Sequence, residues 1–176
     1  MRPINFRLAA LIALIGFCGC SVALPAVEGE FERTLTVAGP VTLEVANGSG
    51  SVDVKAGGSG LVRVRGIIKA RDGWGVKADE KVRYLQANPP IEQNGDVIRV
   101  GRLGESAYAN NVSISYEIET PHDTNLNMRT GSGVQKVRGL SGRVDAATGS
   151  GSIKVDSVRG DVSAQTGSGG IEVDSV

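Results

Sequence analysis

The sequence contains an 18-residue repeat whose three copies each begin with TGSG, at Thr130, Thr148 and Thr166. Apolar residues recur at fixed positions of the copies, and polar residues lie between them. The equivalent apolar positions are Val137, Val155 and Val173; Leu140, Val158 and Val176; Val144 and Val162; and Ala146 and Ala164. Because apolar and polar residues alternate with a period of two, the pattern predicts β-strands with one buried face.

The two short strands of one copy cannot bury a core by themselves, but stacked copies can. Strands of successive copies would pair at about 4.8 Å, so that equivalent valines lie over each other. Glycine suits the corners because it adopts positive φ without a Cβ clash. The sequence therefore predicts an all-β, single-domain β-solenoid with coils of 18 residues and one short inserted helix. The glycines predicted to form its turns are Gly131, Gly133, Gly149, Gly151, Gly167 and Gly169.

The same pattern begins before the three copies. The segment 125–133 places Leu126 and Met128 in the columns of the later inward-facing valine and alanine. The segment 47–66 contains another NGSG corner followed by alternating valines, and 35–45 is predicted to span two strands around a Gly-Pro turn. We therefore expect 35–45, 47–66 and the chain from Leu126 onward to form one continuous stack.

The middle of the chain interrupts this pattern. Good helix formers predict a short helix over 76–87, which the two following prolines would end. Two apolar runs around Asn94-Gly95 predict a hairpin, and the alternating residues of 112–121 predict a long half-buried strand. Trp74 lies between two glycines, and we expect it to pack against the flank of the stack, with an exposed contact role as the alternative.

The first residues are typical of an export signal. Arg2 and Arg7 accompany an apolar segment of ten residues, 8–17, whereas a membrane span needs about 20. We predict a lipoprotein-type signal peptide over 1–20, cleaved before the lipid-bearing Cys20, then a linker over 21–30 and the domain over 31–176. The alternatives are ordinary cleavage after Ala23 and an uncleaved anchor. Each of these places the domain outside the cytoplasm, in the cell envelope or beyond it.

Composition excludes several classes of protein. Lys and Arg total 19 and Asp and Glu total 19, which argues against a nucleic-acid partner because such binding needs a basic surface. Both cysteines lie in the predicted leader, so the exported domain would contain neither a disulfide nor a thiolate metal site. The chain stops inside a repeat, after IEVDSV, and we therefore expect a domain truncated at its C-terminal end.

The sequence offers no convincing catalytic or cofactor-binding motif. His122 is the single histidine, and we expect it in a solvated turn. The recurring GSG lacks the frame of a nucleophile elbow, and TGSG precedes neither the Lys-Ser/Thr pair nor the helix of a phosphate-binding loop. Asp156 and Asp174 should be mutually repulsive neighbours, but the loop pattern of calcium-binding β-rolls is absent. Lys154 and Glu172 should attract each other across adjacent strands.

One family combines these features. The exported leader, the segments FERTLTVAGPVTLEVANGSGSVDVK and ISYEIETP, and the serial TGSG coils resemble the DUF4097 family of bacterial envelope proteins from about Phe31 onward. The resemblance implies a β-solenoid linked to surface adhesion or to membrane-stress systems, without established catalytic residues. We therefore expect a non-enzymatic, adhesin-like or structural binding protein that has no cofactor and is held at the membrane by its lipid.

Other functions and partners follow from the same resemblance and from the repeat. The partner would be an envelope protein, a glycan, or a second copy meeting the edge of the solenoid. An accessory or sensor protein of an envelope-stress system is the alternative function. A carbohydrate-active β-helix enzyme is less favoured, because the acids are few and aromatic platforms for sugars are scarce.

Overall fold

A computed structural model of the chain describes residues 26–73, 75–104 and 107–175. The described residues form thirteen strands and one helix. In chain order these are β1 (Val27–Thr36), β2 (Thr42–Ser49), β3 (Val52–Ala56), β4 (Leu61–Ala70), α1 (Ala78–Ala87), β5 (Ile91–Asn94), β6 (Val97–Val100), β7 (Val112–Thr120), β8 (Asn125–Ser132), β9 (Gln135–Arg138), β10 (Val144–Ser150), β11 (Ile153–Asp156), β12 (Val162–Ser168) and β13 (Ile171–Asp174). The predicted β-rich chain with a short central helix is confirmed.

The strands lie in two sheets. The seven-stranded sheet has the order β1-β4-β7-β3-β9-β11-β13, and the six-stranded sheet has the order β12-β10-β8-β2-β6-β5. The inward-facing apolar side chains of both sheets belong to one buried cluster. The core therefore depends on the alternation that the sequence shows, because each strand except the exposed edge strand β13 contributes one face to it.

The repeat residues pair in parallel with an offset of 18 residues, as the sequence predicts. Val144 lies opposite Val162 on one side and Leu126 on the other. Val155 lies between Val137 and Val173 in the same way. The apolar columns proposed from the sequence are thus confirmed over these strands.

One member of these columns is more exposed than the sequence suggests. Val137 and Val155 are fully buried, but Val173 is 44% exposed, as is Ile171 of the same strand. The reason is that β13 is an edge strand, so no described strand covers its far side. Val176, predicted to continue a second column, lies outside the described residues.

The prediction that 35–45 and 47–66 continue the parallel stack is wrong for residues 35–36, which lie in β1, and for the second half of 47–66. β2 and β3 do pair in parallel with β8 and β9, but β4 runs antiparallel to both β1 and β7. A coil strand such as β9 has four residues, whereas β4 alternates over ten. β4 pairs over its full length with the ten-residue β1, so it does not stack in parallel with the later repeats.

The inserted elements lie close to their predicted places. Helix α1 packs against β1 and β4 through Val82 and Leu85, and it begins two residues after the predicted start at 76. The hairpin β5–β6 and the long strand β7 are confirmed, and β6 joins the six-stranded sheet in parallel with β2. The seven-stranded sheet also includes residues 27–30, which the sequence assigns to a linker. The predicted signal peptide with Cys20, and Trp74, lie outside the described residues.

Candidate functional site

Two rows of mainly charged side chains cross the outer face of the seven-stranded sheet. The alternation that buries one side of each strand turns these residues outward, and the register places them side by side. The first row contains, in strand order, Glu32, Arg65, Glu117, Asp53, Lys136, Lys154 and Glu172. The second row contains Thr34, Arg63, Glu119, Lys55, Arg138, Asp156 and Asp174. We call these two rows the charged face.

Arginines on β4 connect three strands of the charged face. Arg65 binds Glu30 of β1 at 2.7 Å and Glu117 of β7 at 3.2 Å. The hydrogen bond that Arg65 donates to Glu30, followed by the one that it donates to Glu117, raises the pKa of Arg65 above its ordinary value. Arg63 lies between Glu32 at 3.6 Å and Glu119 at 3.4 Å. Acid and base therefore alternate across the antiparallel part of the sheet.

Ion pairs continue across the parallel strands of this face. Arg138 donates from one nitrogen to both carboxylate oxygens of Asp53, at 2.8 Å each. Lys154 binds Glu172 at 2.8 Å, which confirms the predicted attraction. Their hydrogen bond raises the pKa of Lys154 and lowers that of Glu172.

Two places on the charged face lack an ion-pair partner of opposite charge within the part of the chain that the structure describes. Among the described residues, Lys136 forms no ion pair, although it lies between Asp53 and Lys154 in the register. Asp156 faces Asp174, as expected, and it accepts a hydrogen bond of 2.9 Å from the hydroxyl of Ser157. The pattern of fixed charge is therefore mixed and includes local excesses of each sign.

A groove of about 900 Å³ lies over the charged face, from β1 to β9. Ile67 and Val134 add apolar surface to its charged lining, and Val134 is 38% exposed. Exposed ion pairs each stabilise a fold by only about 0–1 kcal/mol. The main physical effect of the two rows is thus a pattern of potential that a complementary surface can match.

A second concavity of about 570 Å³ lies at a corner of the six-stranded sheet, and we call it the corner cleft. It covers the ends of β2 and β8, where Gly48 and Gly131 expose backbone, and its wall includes Leu103 from the loop after β6. Arg102 and Arg129 line it. No pattern in the sequence indicates this cleft, because part of its wall is a loop without periodicity.

The glycines predicted as turns occupy two kinds of position. Gly133, Gly151 and Gly169 have φ of 132°, 147° and 137°, in the region that favours glycine. Gly131, Gly149 and Gly167 lie within β8, β10 and β12. A Cβ on the second or third of these would lie 2.8 Å or 2.7 Å from the carbonyl oxygen of its equivalent one coil earlier. The second kind of glycine therefore permits close stacking of the backbone.

A polar ladder inside the core lies beside these turns. The hydroxyl of Thr130 donates to that of Thr148 at 3.0 Å. Gln135 is fully buried and donates to Thr130 at 2.9 Å and to the Ala147 carbonyl at 2.8 Å. Gln135 lies between Val52 and Ile153 in the register. A glutamine at this otherwise apolar position of the repeat is the sequence feature that indicates the buried polar ladder.

The remaining sequence candidates do not converge on a reactive centre. His122 is exposed in a turn, with Nδ1 3.0 Å from the Gly139 carbonyl oxygen. Within residues 26–73, 75–104 and 107–175, no three His, Cys, Asp or Glu side chains are grouped to hold a metal ion. Over the same ranges, no helix has the length and apolar character required to cross a membrane.

Comparisons with known proteins give distant structural likenesses. No protein-family model matches the chain. No curated protein matches it either. A putative cell adhesion protein from Clostridium sporogenes is similar with 11% identity and a TM-score of 0.43, over 83% of this chain and 99% of that one. A putative adhesin from Bacteroides fragilis is similar with 10% identity and a TM-score of 0.26, over 82% of this chain and 97% of that one. At these identities neither likeness assigns a function to this chain.

Proposed function

We propose that the chain is a non-enzymatic, adhesin-like or structural binding protein of the bacterial cell envelope, and that the charged face is its contact surface. The observation that supports this most directly is the mixture of acidic and basic side chains, many of them in ion pairs, that extends across all seven strands of one sheet. A surface of this kind offers specificity of contact through complementary charge.

Of the partners suggested by the sequence, the charged face favours an envelope protein over an acidic glycan. A polyanion needs a predominantly cationic surface, as in Arg- and Lys-rich anion sites. On the charged face most cations are already bound to carboxylates of the same sheet, such as Arg65 to Glu117 and Arg138 to Asp53. A protein surface that carries both signs can match this arrangement.

We further propose that the parallel strands form a β-solenoid of the DUF4097 type. The support is the 18-residue offset in both sheets: Val144 with Val162 in one, and Val137 with Val155 in the other. β2 and β3 supply the first coil of this stack, since they pair with β8 and β9.

The proposed location rests on the leader. Export and acylation at Cys20 would attach the domain to a membrane surface and present its charged face to neighbours. Cys20→Ala should move the protein from the membrane fraction to the soluble fraction, and unchanged fractionation would contradict the lipid anchor.

A charge-swapped variant tests the contact surface. Asp53→Arg combined with Arg138→Asp keeps the ion pair and the net charge but inverts the local pattern. The matched control is Glu44→Arg with Arg99→Glu, which swaps a pair of 2.9 Å on the six-stranded sheet. Both variants should keep the circular dichroism spectrum of the wild type.

Pull-down from envelope extracts of the source bacterium, followed by mass spectrometry, supplies the measurement. We expect the wild type and the control to retain a common partner, and the charged-face swap to lose it. Equal capture by all three proteins would contradict the proposed surface. Release of reducing or unsaturated sugars from polysaccharides by the pure protein would contradict the non-enzymatic assignment.

A further inference from the structure

The corner cleft contains two arginines that form no ion pair with any residue that the structure describes. Arg129 points outward from β8, and its register neighbours are Ala46 on β2 and Ala147 on β10. No ion pair joins it to any described residue. Asp145 on β10 lies opposite Asn127 instead. Arg99 on the same sheet provides the contrast, because it binds Glu44 at 2.9 Å.

Arg102 reaches the cleft from a different element. β6 ends at Val100, and Gly101 follows with φ of 87°, which turns the chain away from the sheet. A Cβ on Gly101 would lie 2.6 Å from the Ala46 carbonyl oxygen, so a glycine is required for this close approach. Arg102 then lines the cleft, and no ion pair joins it to any of the described residues.

The lining of the cleft has the chemistry of an anion site. Its described residues include two guanidinium groups and no carboxylate. Leu103 and Val112 supply apolar wall, and the backbone at Gly131 supplies part of the floor. A volume of about 570 Å³ is within the range of small-molecule sites. Guanidinium groups bind carboxylate, sulfate and phosphate through paired hydrogen bonds.

We propose that the corner cleft binds a small ligand that carries an oxyanion group, held by Arg102 and Arg129. The ligand also presents an apolar part to the wall at Leu103 and Val112. The lining of this site shares no residue with the lining of the groove over the charged face, so each of the two proposals can fail without the other.

Titrations followed by two-dimensional amide NMR test the site. The probes are sodium phosphate, sodium sulfate and sodium glucuronate at constant ionic strength, with glucose as the uncharged counterpart of glucuronate. We expect at least one anion to bind saturably and to shift the amide signals of Gly48 and Gly131. Glucose should bind far more weakly than the anions. Preference for glucuronate would identify a carboxylate ligand, and preference for phosphate or sulfate would identify a tetrahedral one.

Variants decide whether the two arginines hold the anion. Arg129→Ala and Arg102→Ala should each weaken binding by about tenfold or more, as expected for loss of charge-assisted hydrogen bonds. The matched control Arg99→Ala removes an arginine of the same sheet and should bind as the wild type does. Absence of saturable binding by the wild type would overturn the proposal. Undiminished binding by the folded double variant Arg102→Ala/Arg129→Ala would overturn it as well.

Discussion

The repeat region, β8 to β13, and the irregular region, β1 to β7 with α1, build their cores differently. Residues 125–175 contain no aromatic side chain, and their core consists mainly of aliphatic residues stacked on their equivalents. The irregular region instead uses long antiparallel strands, a helix and aromatic contacts such as Phe31 against Tyr116, with ring centroids 6.3 Å apart. Both concavities include irregular elements. The stacked repeats thus form a regular scaffold, and the irregular region contributes the elements that shape the two concavities.

The largest expected effect is in the repeat region, at a glycine that both turns and stacks. Gly151→Ala places a Cβ against the backbone of Gly133 and requires a φ of 147° from alanine. We expect the free energy of unfolding to fall by about 3 kcal/mol, from backbone strain and overpacking together. Urea denaturation measures it. Gly170→Ala is the control, because a Cβ there meets nothing within 4 Å. Equal effects at both sites would contradict the stacking role.

In the irregular region, the sharpest test is a buried lysine. Lys81 is fully buried in α1 and donates to the carbonyl oxygens of Arg71 at 3.2 Å and Asn110 at 2.8 Å. Lys81→Ala should lower the free energy of unfolding by about 2–3 kcal/mol, because it leaves two acceptors unpaired and a cavity. Thermal and urea denaturation check this against Lys77→Ala, which alters an exposed side chain at the start of the helix. A loss no greater than that of the control would show that α1 is held by its apolar face alone.

Two valines of one column test whether stacking itself supplies the stability. Val155 is fully buried between β9 and β13, whereas Val173 is 44% exposed on the edge. Val155→Ala should cost about 2 kcal/mol and Val173→Ala less than about 1 kcal/mol, because the exposed site leaves little cavity. Chemical denaturation of both variants gives the difference. Similar costs would contradict the stabilising role of stacking at Val155.

The smallest effect concerns a buried phenol in the irregular region. The hydroxyl of Tyr116 has no hydrogen-bond partner among the described residues, and burial raises the pKa of this group well above its ordinary value. Tyr116→Phe should therefore change stability at neutral pH by only about 0–1 kcal/mol, in the stabilising direction.

The pH dependence of this variant has a defined sign. Above about pH 10 the unfolded wild type loses the phenolic proton while the folded protein keeps it, so wild-type stability falls as pH rises. Tyr116→Phe lacks this contribution and should gain relative stability above pH 10 in urea titrations. A constant difference between pH 8 and pH 11 would contradict a raised pKa.

The sequence predicts the repeat columns, because nearly identical copies in a parallel stack must share one register. It placed Val137 under Val155 for that reason, and β12 beside β10. It could not place β4, since alternation specifies which face is buried but not which strand is the partner. The charged face depends on β7 lying between β4 and β3, an order that no local pattern encodes. The position of Arg102 depends on the conformation of the loop after β6, which no local pattern encodes either. The corner cleft therefore could not be predicted from the sequence.

The strand order also carries a consequence for the route of folding. Later coils form between segments 18 residues apart, but the first interface joins β2 to β8, as Thr42 meets Asn125 across the whole inserted segment. Each doubling of a closing loop costs about 0.6 kcal/mol of chain entropy. We expect the C-terminal coils to pair quickly from local nuclei, and docking of the N-terminal half onto them to limit the overall rate of folding. A longer insertion between β3 and β8 would slow maturation while leaving the finished domain almost equally stable.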